Sequence, residues 1–120
     1  VNPKICSDTT LTQIRTILQK VVSEGLAKPA GSKQFNVSGK TGTAQQVETR
    51  PNHALFVGYA PSSDPEITIA TRISYGYSSH NAAAASRNII SYYYNLESLD
   101  DLLAVKAEGV NSSGSSARTD

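Results

Sequence analysis

Apolar residues recur at helical spacing near the start of the chain and change to strand-like runs in its middle. After Asp8, Thr9 and Thr10, whose oxygens suit an N-cap, Leu11, Ile14, Leu18, Val21 and Val22 form one stripe that stops before Gly25 and Pro29. This spacing predicts an amphipathic helix over roughly residues 9 to 25. Lys28-Pro29-Ala30-Gly31-Ser32-Lys33 is turn chemistry, and Phe35 to Val47, rich in β-branched and small residues, reads as a strand. Two further strands are predicted, Ala54 to Ala60 and Ile67 to Tyr75, with Pro61-Ser62-Ser63-Asp64-Pro65-Glu66 turning the chain between them. Short polar connections make the strands antiparallel neighbours.

Asn81 is placed to cap a last major helix through Ala82 to Ala85, Ile89 and Ile90 and on to Tyr94, with alanines that permit close packing on a sheet. Leu99, Leu102 and Leu103 add one or two helical turns within 96 to 105. The expected fold class is α+β: an antiparallel sheet of about three strands flanked by an N-terminal and a C-terminal helix. Residues 1–106 are expected to form the folded part. From 107 to 120 the serine- and glycine-rich sequence has too little apolar content to pack and reads as a flexible tail.

Composition narrows the function classes. The 120 residues carry a net charge of +1 with 18% charged side chains, so no basic surface for nucleic acid is expected. Cys6 is the sole cysteine, which excludes an internal disulfide; His53 and His80 have no spaced partners and are expected to pack or sit at the surface. Neither a metal nor a cofactor is expected. No run of apolar residues is long enough for a membrane span, and no leader pattern occurs in these residues.

The candidate chemistry lies in Val37-Ser38-Gly39-Lys40-Thr41-Gly42-Thr43-Ala44-Gln45. An ammonium on a strand beside threonine hydroxyls suits an anionic, extended substrate. Gly42 leaves room where a ligand approaches, and the strand's backbone can pair with a peptide by β-augmentation. Alternation, however, puts Lys40 on the face opposite Thr41 and Thr43, so a shared pocket requires twist or use of the strand edge.

This run, followed by His53-Ala54-Leu55-Phe56-Val57-Gly58-Tyr59-Ala60-Pro61, resembles the C-terminal part of a penicillin-binding protein transpeptidase domain. The wording is similar to the class B branch, leaning to its cell-elongation type, and the likeness covers roughly residues 8 to 95. It implies a parent that cross-links peptidoglycan stem peptides through an acylated serine, is trapped by β-lactams, and is anchored in the bacterial cytoplasmic membrane with this domain on the outer face. Carried over, Lys40 belongs to the network around the serine, and the Thr43 amide is one oxyanion-hole donor. Thr41, Gly42, Thr43 and Gln45 fall in the substrate-binding set.

The nucleophile segment is absent. None of Lys4, Lys20, Lys28, Lys33, Lys40 and Lys106 follows a serine at Ser-x-x-Lys spacing. Ser79-His80-Asn81 and Ser86-Arg87-Asn88 follow Lys40, whereas the family's Ser-x-Asn precedes its lysine strand, so both are read as coincidences. The chain alone is therefore expected to be inactive and to need the N-terminal part of the domain as partner; the alternative is a non-catalytic peptide- or partner-binding module. The edge of the lysine strand and one side of the first helix are expected to be bare, with self-association through the edge. A P-loop is the rival reading of Gly39-Lys40-Thr41, but Gln34 stands where its first glycine belongs and a strand, not a helix, follows. Two of Tyr92, Tyr93 and Tyr94 are expected to pack or to lie at an interface edge. Asn36-Val37-Ser38 and Asn111-Ser112-Ser113 match glycosylation acceptors and are discounted for a bacterial family.

Overall fold

Ser7 caps the first helix, one residue ahead of the expected caps: its hydroxyl accepts from the Thr10 amide at 3.1 Å and starts α1, Asp8–Ser23. The computed structural model describes residues 5–108. Within them α1 leads through a short 3-10 turn, Lys28–Ala30, to three strands, β1 Ser38–Ala44, β2 His53–Ala60 and β3 Ile67–Ile73, then to helices α2, Ser79–Tyr93, and α3, Leu99–Glu108. The strands form one antiparallel sheet in the order β1-β2-β3.

Several boundaries move for local reasons. β1 is shorter than the predicted Phe35 to Val47 because Phe35 and Val37 turn into the core ahead of it. β3 stops at Ile73 because Tyr75 adopts φ 54, a left-handed conformation that cannot continue a strand. α2 starts at Ser79, capped by Ser78, while Asn81 uses its side-chain amide on the Gly76 carbonyl at 2.9 Å instead of capping. α3 starts three residues after 96 because Ser98 accepts from the Asp101 amide, and it reaches Glu108, past the tail boundary set at 107. Residues 109–120, including Asn111-Ser112-Ser113, lie outside the described residues.

Paired positions share a sheet face. The inner face carries Thr41, Phe56 and Thr71 in one row and Thr43, Ala54 and Ile73 in the next, and α2 covers it with buried Ala82, Ala83, Ser86 and Ile90. Small side chains bring the helix close, as expected. Ser86 is fully buried and bonds Thr71 across the layer at 2.8 Å, so the second Ser-x-Asn is a packing element. The first is simply the start of α2.

Phe56 is the largest fully buried side chain. Its ring lies over the cross-strand pair Gly39 and Gly58, where an added Cβ would meet ring carbons at 2.5 Å and 2.8 Å respectively. Both glycines therefore serve the core. Of the tyrosine triplet Tyr94 packs with its ring 5.6 Å from Phe35, and the half-exposed Tyr93 stands edge-on to Tyr94 with centroids 5.2 Å apart, while Tyr92 is exposed. Two of the three thus make ring contacts, as expected, and the third diverges because successive helical side chains point in different directions. Burial raises the Tyr94 phenol above its ordinary range, and the Glu66 carboxylate acts in the same direction.

Candidate active-site strand

Lys40 stands on the outer face of the sheet, opposite α2, in a row with Val57 and Ala70; Gly42, Leu55 and Arg72 form the next row. These residues line a shallow groove of about 320 Å³. Val57, at 55% exposure, and Ala70 are open, and Leu55 is half-buried. A larger depression of about 450 Å³ between the ends of α1 and α2 lies away from this strand. The helix-covered inner face and the bare outer face make the sheet one-sided. α1 likewise shows Leu11, Ile14 and Ile17 to solvent, as expected for an unpartnered helix side.

The alternation foreseen for Lys40 holds. Thr41 lies on the inner face at 6% exposure, Thr43 is exposed farther along that face, and Gln45 is exposed just beyond the strand. The hydroxyls of Thr41 and Thr43 and the Lys40 ammonium are thus not gathered in one pocket by side-chain direction. What they share is the edge.

Backbone directions follow from two bonds. The Asn36 carbonyl accepts from the Ser62 amide at 3.0 Å, on the β2 side, and in an antiparallel strand the N–H and C=O of alternate residues point the same way. Even-numbered residues of β1 therefore turn to β2 and odd-numbered ones to the open edge. In agreement, the Thr41 carbonyl is taken by Lys40 Nζ at 2.8 Å. The Thr43 amide then points outward, along an edge with no further strand among the described residues. That edge offers an N–H donor, a carbonyl and a nearby ammonium, which together suit an extended peptide with an anionic or carbonyl group.

Gly42 differs from the other glycines of this region. A Cβ there would make only ordinary contact with Leu55, at 3.5 Å, whereas at Gly58 it would collide with Phe56 and the Ser38 carbonyl. Gly58→Ala should therefore lose about 1–3 kcal/mol by overpacking, while Gly42→Ala should hold or gain stability by up to about 1 kcal/mol. Urea unfolding of the two variants checks this contrast. Equal destabilisation would show that packing, not ligand approach, requires Gly42.

His53 packs, one of the two placements expected of it, and its contacts reach farther than its neighbours in the chain suggest. It is 5% exposed, pairs with Ala44 at the end of β1, and has both ring nitrogens engaged. Nδ1 accepts from the Tyr75 amide at 3.0 Å, Nε2 lies 2.7 Å from Gln46 Oε1, and the ring sits 4.8 Å from that of Tyr75. No spacing rule could have revealed this, since its partners lie on a loop and on the turn after β3. Among the described residues no cluster of His, Cys, Asp and Glu could hold a metal ion.

Comparisons with known proteins converge. The family model described as penicillin binding protein transpeptidase domain matches residues 2–91. Stage V sporulation protein D of Bacillus subtilis is 39% identical over 71 residues, 55% of this chain and 11% of that protein. Peptidoglycan D,D-transpeptidase MrdA of Acinetobacter baumannii is 28% identical over 101 residues, 72% of this chain and 15% of that protein. The chain thus spans only a small part of the curated relatives it matches.

Among solved structures, the D,D-transpeptidase domain of a peptidoglycan glycosyltransferase from Eggerthella lenta superposes with TM-score 0.67 at 32% identity, covering 78% of this chain and 22% of that one. Penicillin-binding protein A of M. tuberculosis, solved as an imipenem acyl-enzyme, gives TM-score 0.65 at 22% identity over 78% of this chain and 21% of that one, a likeness of fold. The α+β sheet-and-helix architecture is shared with these transpeptidase domains.

Proposed function

The chain belongs to the penicillin-binding protein transpeptidase domain family, and from that premise we propose that it forms the sheet-side wall of a peptidoglycan D,D-transpeptidase site. The observation that carries this reading is the Thr43 amide directed to the open β1 edge beside the exposed Lys40. A serine from another part of the protein would attack the penultimate D-Ala carbonyl of a stem peptide and expel the terminal D-Ala. An amine of a second stem then takes the acyl group.

In this scheme the Thr43 N–H donates to the oxyanion as negative charge develops on the carbonyl oxygen. Lys40 lends positive charge to the proton network around the serine. Thr41, Gly42, Thr43 and Gln45 border the substrate strand, with the exposed Thr43 hydroxyl best placed to reach a terminal carboxylate. The outer face, with Val57 and Ala70 in the row of Lys40 and the half-buried Leu55 in the next, is the surface on which the N-terminal part of the domain would close. A β-lactam would acylate the same serine. The parent would work at the outer face of the bacterial cytoplasmic membrane; no helix among the described residues is long and apolar enough to cross one.

A labelled penicillin provides the test. The parent should form a covalent adduct and the 120-residue chain should form none. A stoichiometric adduct on this chain would refute the division of the site. A second reading, a module that binds peptides without chemistry, is favoured by the open β1 edge alone. It requires Lys40 and Thr43 amide signals to move on titration with D-Ala-D-Ala peptide.

A further inference from the structure

We infer that His53 is a positioning residue for this site, holding the segment that follows Thr43 against the turn after β3. The consequence for acylation rests on the transpeptidase reading; the clamp itself does not.

The ring's protonation follows from its partners. Because the Tyr75 amide donates to Nδ1, that nitrogen keeps its lone pair, so the neutral ring carries its proton on Nε2. Nε2–H then donates to Gln46 Oε1. Arg72 Nη2, 3.4 Å from the same nitrogen, cannot donate to a protonated atom and stands as a neighbouring cation. A single neutral imidazole thus bridges a loop side chain and a turn backbone, and neither bond would survive the other tautomer.

The bridge sits at a weak point of the sheet. Ala44 and His53 form the last pair of β1 and β2, directly after Thr43 and Ala54, and terminal pairs of an edge strand open most easily. The loop of residues 45–52 is tied to the segment after β3 at its far end, where the Asn52 carbonyl accepts from the Tyr77 amide at 3.2 Å, and through two of its side chains, both on Tyr75. Gln46 reaches it through His53, while Arg50 donates to its hydroxyl at 3.1 Å and lies 5.2 Å from its ring centroid. Tyr75 itself holds φ 54, a conformation that a bulky residue keeps only when its surroundings enforce it. The amide fixed by His53 belongs to that strained residue. Three elements thereby converge on one ring, and the beneficiary is the outward-facing amide one position before the last strand pair.

Gln46 is exposed, so Gln46→Leu removes the loop arm without touching the core. In the chain itself, amide hydrogen exchange at residues 43–50 should quicken at least about tenfold, with Phe56 and Ala83 unchanged. Nitrogen NMR of the histidines should show His53 protonated on Nε2 alone. In the parent, Gln46→Leu should lower the limiting rate of penicillin acylation about tenfold while leaving the half-saturating concentration unchanged, because a misdirected oxyanion donor affects the transition state. His53→Asn, whose Oδ1 can replace Nδ1 but cannot reach Gln46, should reproduce both effects.

A proton on Nδ1, or unaltered exchange in Gln46→Leu, would overturn the clamp. An unaltered limiting rate would overturn its catalytic consequence. A parent that takes up no penicillin would refute the transpeptidase reading and leave the clamp to be decided by the exchange and NMR data.

Discussion

Phe56→Ala is expected to cost the chain about 3–5 kcal/mol, enough to unfold a small domain near the lower end of ordinary stabilities. The ring is fully buried, spans two strands over Gly39 and Gly58, and lies on the face that α2 covers. Its removal leaves a void that two glycines cannot fill. Urea or thermal unfolding followed by circular dichroism measures the loss. A decrease under about 1 kcal/mol would mean that the sheet and α2 do not depend on this ring.

Lys40→Ala is expected to do the opposite: leave folding intact and remove reactivity. Lys40 is exposed, and among the described residues its ammonium bonds the adjacent Thr41 carbonyl alone, so truncation should change stability by no more than about 0.5 kcal/mol. In the parent, penicillin acylation should fall by about 10²–10⁴, the usual worth of a positioned proton-transfer group. Lys40→Arg should recover little, because a planar guanidinium does not reproduce a compact ammonium that can release a proton. Acylation at the unaltered rate in Lys40→Ala would exclude this residue from the reaction. The two substitutions together separate what holds the sheet from what the sheet presents.

Much of the fold was legible in the residues. The stripe from Leu11 to Val22, the β-prone run of β2 and the alanines of α2 each carry their own signal, and each element formed where that signal placed it. Its ends were less legible. Ser7 and Ser78 outcompeted neighbouring cap candidates because caps depend on the direction from which the chain enters the helix. Tyr75 ended β3 through a left-handed φ that no composition rule assigns to tyrosine.

The site divides in the same way. Lys40, Thr41, Gly42, Thr43 and Gln45 could be named in order from the chain, and the opposition of Lys40 to the threonines followed from the two-residue repeat of a strand. Residue order is local information, and local information is enough for it. Tertiary structure alone decided that Thr41 is buried, that the Thr43 amide faces the open edge, and that Val57 and Ala70 are exposed beside Lys40. It also decided that Gly39 and Gly58 belong to the Phe56 ring while Gly42 does not, and that His53 joins a loop to a distant turn. Those outcomes depend on which strand pairs with which and in what register, and register is set by long-range burial that no single segment contains.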